Sequence, residues 1–207
     1  MLALYDNPIS SNALKVRFLL AELGLDYERR TVPIERPRPQ WYIDLNPIGG
    51  IPSLDDDGLL LSESNSILRY IANRERRDDL YPSDPARRAR VDMMLDRFSL
   101  TLRPPFFQVE VLALGFTSEK GFGAVPGDAA AAREKEQEIA STVALFDSLV
   151  SPSGYWLEDF SIADIAAAPV LFRTTKAGMD LSPYSNLARM RETVLARPAF
   201  AAAEPVT

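Results

Sequence analysis

Two short stretches hold most of the residues that could do chemistry. "YDNPISSNALKVR" (Tyr5–Arg17) offers Tyr5, Ser10, Ser11 and Asn12. "GGIPSLDDDGLLLSES" (Gly49–Ser64) opens on Ile51-Pro52 and closes on a hydroxyl–carboxylate–hydroxyl cluster, Ser62-Glu63-Ser64. The 207 residues include no cysteine and no histidine, which removes disulfides, thiolate nucleophiles, most zinc sites and every His-based triad. Chemistry is left to hydroxyls, carboxylates, amines, backbone dipoles, or the substrate itself. Both serine clusters open apolar-periodic runs, so both also read as helix starts. Ser10 is a candidate N-cap, and so is Ser62, with Glu63 complementing the dipole of the helix it opens.

The elements that must position these groups fall into two textures. Over residues 1–77 strands and helices alternate. "LALY" (Leu2–Tyr5) is a short buried strand, and "SSNALKVRFLLAELG" is a helix stopped at Gly24. Tyr27–Val32 reads as a second strand, and a helical turn lies near Trp41–Leu45 after Pro37 and Pro39. Asp57-Gly58 reverses a hairpin, whose first strand begins at Pro52, a residue that gives no N–H to a ladder. A helix from about Glu63 to Asn73 completes the half, and "RERR" (Arg74–Arg77) places cations at its C-terminal end. Residues 78–86 read as a linker, and 87–207 as all helix. There Asp84 and Pro85 form an N-cap/N1 pair, Arg103-Pro104-Pro105 ends or kinks a helix, and Gly121–Asp128 is a loop. Ser161 and Asp164 make a carboxylate capping box, with Phe160 and Ile165 at the hydrophobic-staple positions. Leu187–Ala196 reads as the last helix, stopped by Arg197-Pro198.

Composition narrows the partners. With 46% hydrophobic and 25% charged residues, the chain has ordinary soluble globular make-up. A net charge of −6 argues against nucleic acid, which needs a clustered basic surface. No run is long enough to span a bilayer, and "MLALYDNP" lacks the basic start of a signal peptide. The expectation is a cytoplasmic protein that binds neither membrane nor nucleic acid.

In its order of elements, in "NPIGGIP" (Asn46–Pro52), "SES" (Ser62–Ser64), "LYPSDPARRARVD" (Leu80–Asp92) and the "FSIADI" helix start, the whole chain resembles the cytosolic glutathione S-transferases. The likeness is to a serine-type, theta/zeta-like bacterial member. It implies an α/β N-terminal thioredoxin-like domain (βαβ-ββα), an all-α C-terminal helical bundle, a homodimer, and glutathione as co-substrate with no metal. The function implied is stabilisation of the glutathione thiolate for attack on an apolar electrophile. The alternatives are a non-catalytic binding or scaffold protein and a glutathione-dependent isomerase, dehalogenase or etherase.

The resemblance also assigns residues. A cis Ile51–Pro52 bond would present Ile51's backbone as a free edge to a cysteinyl peptide. Ser64, in the first turn of its helix, would receive the γ-glutamyl carboxylate, and Glu63 would balance the ammonium. Ser10 is the first choice for the catalytic hydroxyl, with Ser11 and Tyr5 as runners-up and Asn12 a contributing neighbour. A free thiol has a pKa of ~8.5. Lowering it by about one unit takes only ~1.4 kcal/mol of preferential anion stabilisation, within reach of one hydroxyl and a helix N-terminus. The chain departs from the family at Gly50, where many relatives carry Lys, Gln or Arg for the glycyl carboxylate. Arg36, Arg38 and Gln40 are the possible substitutes. Ile9, Met94, Phe98, Phe106 and Phe107 are the candidates for the second-substrate pocket.

Overall fold

The computed structural model describes residues 1–115 and 126–204. Four strands, β1 (Leu2–Asp6), β2 (Glu28–Thr31), β3 (Ser53–Asp56) and β4 (Leu59–Leu61), form one mixed sheet in the order β2-β1-β3-β4. β1 runs parallel to β2 and antiparallel to β3, with Tyr5 opposite both Arg30 and Ser53. The Asp57-Gly58 reversal has positive φ at both residues, 49° and 94°, as a two-residue hairpin turn requires. Every residue of β1 is buried, because both faces of the sheet are covered. Leu2 and Leu4 join the main core, while Tyr5 joins a smaller cluster with Ala13, Val32, Tyr42 and Ile51.

Three helices serve the sheet: α1 (Ser11–Leu23), α2 (Gln40–Leu45) and α3 (Ser64–Arg74). α1 ends at Gly24 with φ +64°, and the next N–H, of Leu25, returns to the Leu20 carbonyl at 3.0 Å. This Schellman closure needs a residue that adopts the left-handed region freely. Together the strands and these helices make the thioredoxin-like half.

The second half is helical: α4 (Pro85–Arg97), α5 (Arg103–Leu114), α6 (Ala129–Leu149), α7 (Ile162–Lys176), α8 (Ser185–Leu195) and α9 (Pro198–Ala203). Asp84 caps α4 through its side chain, which accepts from Arg87 N at 2.8 Å. Ser161 and Asp164 form the capping box of α7. The two halves share one continuous core, in which α1 packs against α7 and α9. Arg17, buried in α1, ties them by hydrogen bonds to Asp6 Oδ1 (2.6 Å) and to the Ala203 carbonyl in α9 (2.9 Å).

Of the two readings of Arg103-Pro104-Pro105, an end or a kink, the chain does not take the end: a π-helical stretch, Phe98–Leu102, joins α4 to α5, a wider turn that fits carbonyls deprived of proline N–H partners. Two sequence expectations change. Ser62 is not a cap: α3 has Glu63 at its N-cap, with no side-chain cap bond. Leu187–Ala196 is not the last helix, since Pro198 takes the first position of α9, where its missing N–H costs nothing. Of the expected loop Gly121–Asp128, residues 121–125 lie outside the described residues.

Candidate active site

A cleft of about 290 Å³ opens between the thioredoxin-like half and the helices. The β1–α1 connection enters it first. Asn7, buried, fixes that connection: its Nδ2 donates to the Val32 carbonyl (2.8 Å), its Oδ1 accepts from Ile9 N (3.1 Å), and its carbonyl accepts from Ser10 N (3.0 Å). Ser10 is thereby held at the N-cap of α1, with its Oγ accepting from Ala13 N at 3.2 Å. The same hydroxyl donates across the cleft wall to the Ile51 carbonyl at 3.3 Å. Ser11 and Asn12 line the cleft beside it. The helix N-terminus concentrates partial positive charge where these hydroxyls sit.

Opposite stands the 46–53 loop. The Ile51–Pro52 peptide is cis, and Ile51 lies against Tyr5 and Tyr42 in the smaller core cluster. The loop is pinned by a polar net that sequence reasoning missed. Asn46 Nδ2 donates to the Gly50 carbonyl (2.9 Å) and to Ser53 Oγ (3.1 Å), and the Tyr42 hydroxyl donates to the same carbonyl. Burial pushes the Tyr42 phenol up from its ordinary value, so it stays a neutral donor. Gly49 needs its glycine: φ is +66°, and a Cβ there would stand 3.0 Å from Ile43 Cδ1 and 3.2 Å from Arg38 Cγ. At Gly50 the nearest atom to such a Cβ is Asn46 Nδ2 at 4.0 Å.

Glu63 and Ser64 form the third wall, at the start of α3. Glu63 holds φ +64°, a conformation that costs a side-chain-bearing residue about 1–3 kcal/mol. Lys15, in α1, is almost fully buried, and its Nζ donates to Asn65 Oδ1 at 3.0 Å. Asn65 in turn donates to Ser99 Oγ in the π-helical stretch at 2.9 Å. Burial first, and Arg103 second, hold the Lys15 amine at about 7, against the opposing pull of Glu63.

The other sequence candidates divide. Pro52, Ile9, Phe107 and Arg38 line the cleft. Arg38, however, is spent on the main chain: Nε donates to the Gly49 carbonyl (3.1 Å), and Nη1 to those of Pro33, Ile34 and Glu35. Arg36 lines the cleft and is exposed. Gln40 does not reach it, being exposed and bonded to Asp44 one turn along α2 (2.8 Å). Tyr5 is buried away from the cleft, and its hydroxyl accepts from Arg30 Nη1 at 2.7 Å. Met94, Phe98 and Phe106 are corrected from pocket to core: at 3%, 0% and 3% exposure they pack inward, where an apolar helical stripe is drawn. In their place the helical half contributes Arg103 and Arg173, which no local sequence pattern marked.

The donor set fits glutathione, a γ-glutamyl tripeptide with two carboxylates and one ammonium. Two helix N-termini and Arg36 are available to anions, and Glu63 to the ammonium. A thioredoxin-like half packed on a helical half, with a cleft at their junction lined by anion-receiving groups, defines the architecture, and comparison with known proteins supplies the family. The family description "Glutathione S-transferase, N-terminal domain" matches residues 1–73, and "Glutathione S-transferase, C-terminal domain" matches residues 129–189. The chain is 31% identical over 205 residues to a probable maleylacetoacetate isomerase of Caenorhabditis elegans, covering 98% of this chain and 92% of that protein. It is 30% identical to the glutathione S-transferase GstB of Escherichia coli, covering 96% and 95%. Among solved structures, a delta-class glutathione transferase of Nilaparvata lugens superposes with a TM-score of 0.81 at 27% identity, covering 98% and 92%. The chain belongs to the glutathione S-transferase family.

Proposed function

We propose that the protein is a glutathione transferase that uses Ser10 to stabilise the sulfur anion. The supporting observation is the Ser10 hydroxyl, which caps α1 on the cleft wall and donates to the Ile51 carbonyl at 3.3 Å. Glutathione supplies the nucleophilic sulfur. Ser10 Oγ, already accepting from Ala13 N, keeps its proton free to turn from the Ile51 carbonyl toward an anion. The N-terminus of α1 adds its dipole. Ile51 offers main-chain groups to the peptide, Ser64 and the start of α3 receive the γ-glutamyl carboxylate, Glu63 faces the ammonium, and Arg36 takes the glycyl carboxylate that Gly50 cannot reach. Ser11 and Asn12 flank the sulfur site.

The similarity to a protein named as an isomerase favours a second reading, glutathione-dependent isomerisation, which would draw on the same groups. We place the protein in the cytoplasm as a homodimer, with the exposed Leu59, Leu60, Met93 and Leu100 supplying apolar surface to the second copy. Among the described residues no helix is long and apolar enough to cross a membrane. Light scattering should give the mass of two chains, and the mass of one chain contradicts the dimer.

The function itself is tested on a glutathione column, followed by turnover of 1-chloro-2,4-dinitrobenzene with glutathione. Retention with turnover is expected. Neither retention nor turnover would leave the fold to a non-catalytic role.

A further inference from the structure

The helical wall of the cleft is cationic, although the chain as a whole carries a net charge of −6. Its two arginines are in different states. Arg173 is committed: Nη1 pairs with Glu110 and Nη2 donates to the Ile9 carbonyl. Arg103, half-buried at the first position of α5, has no hydrogen-bond acceptor and no ion-pair partner among the described residues. Its guanidinium lies 6.0 Å from the centroid of the Phe107 ring, one turn further along α5. The charges that it senses do not neutralise it. Glu110 favours its cation but is already paired with Arg173, while Arg173 itself opposes it and burial lowers its pKa further. Lys15 also feels it as a repulsive neighbour.

A guanidinium removed from water is ordinarily paired, since desolvation without a partner is costly. The π-helical stretch just before α5 departs from α-helical phase, and beyond it Arg103 and Phe107 line the same cleft, as does Ile9 from the β1–α1 connection. Among the described residues nothing supplies that counter-charge, and a ligand's anion in the cleft would. The peptide-binding groups named above lie on the other walls, at Ser10, Ile51, Glu63 and Ser64.

We propose that Arg103 is a specificity-determining residue that receives a carboxylate of the second substrate, whose carbon skeleton lies against Phe107 and Ile9. The electrophile is then an unsaturated or aromatic acid rather than the uncharged apolar compound that the sequence suggests. This rests on glutathione occupying the remaining walls. Arg is suited to the task because its planar fork matches a carboxylate bidentately.

Calorimetry on the intact protein separates the two layers with three ligands: S-methylglutathione, S-(4-carboxy-2-nitrophenyl)glutathione and its 4-carbamoyl counterpart. The carboxy conjugate should bind wild type on the order of tenfold more tightly than the carbamoyl one, the scale of one charge-assisted contact. Arg103→Met should abolish that preference and leave S-methylglutathione affinity unchanged, and Arg103→Lys should keep part of the preference. Equal affinities for the two conjugates in wild type would overturn the proposal, as would a preference that survives Arg103→Met. A loss of S-methylglutathione affinity in Arg103→Met also overturns it, by assigning Arg103 to glutathione. If wild type fails to bind S-methylglutathione at all, the glutathione reading itself fails, and that result is distinct from the others.

Discussion

At the scale of single residues, the cleft is set by side chains whose partners lie far along the chain. Ser10's place at a helix start was legible because that helix follows it directly in sequence. Asn7 and Asn46 were not recognised as positioning groups, since their value comes from Val32, Gly50 and Ser53, which only folding brings near. Gly49 and Gly50 look alike in sequence and differ in space. Gly49 is locked by positive φ and by contacts at 3.0–3.2 Å, whereas Gly50 has room for a side chain. Gly50→Lys should therefore fold normally. Arg36→Ala should weaken glutathione binding roughly tenfold, through loss of a charge-assisted contact to the glycyl carboxylate, and Gly50→Lys added to it should restore most of that affinity. Calorimetry checks this, and an Arg36→Ala protein that binds as tightly as wild type would contradict the role of Arg36.

At the scale of elements, helix ends were readable and helix middles less so. Gly24, Asp84 and the Ser161/Asp164 box work with partners within about four residues, so sequence alone carries them. The π-helical stretch and the inward turn of Met94, Phe98 and Phe106 depend on which neighbour each helix face meets, and periodicity cannot tell core from cleft. Lys15 shows the same dependence. In sequence it is an ordinary lysine of α1, while in the fold it is buried between α1, α3 and the π-helical stretch, with its amine at about 7 instead of 10.5. Between those values the unfolded chain holds a proton that the folded chain has released, so stability rises with pH across this window. As pH falls toward 7 that contribution is lost. Urea midpoints of wild type should accordingly rise from pH 7 to pH 9 by more than those of Lys15→Met, which lacks the buried amine. Parallel curves for the two proteins would contradict the burial of a titrating lysine.

For the whole molecule, the alternation of strands with helices followed by helices alone was enough to give the two-part architecture, because period and punctuation carry element type and order. The junction of the halves was beyond that reading. Arg17 reaching Ala203, α9 packing on α1, and Arg103 facing Ser10's cleft are all long-range facts. That junction makes the cleft a composite, with a hydroxyl and helix N-termini on one side and guanidinium groups on the other. On the proposed reading, this composite site lowers the pKa of a bound thiol through Ser10. The most direct measurement is a titration of glutathione thiolate absorbance in the saturated complex of wild type, Ser10→Ala and Tyr5→Phe. The wild-type midpoint should fall at least about one unit below the ~8.5 of a free thiol. Ser10→Ala should return it most of the way, and Tyr5→Phe should leave it in place. A midpoint unmoved by Ser10→Ala and shifted by Tyr5→Phe would contradict the assignment.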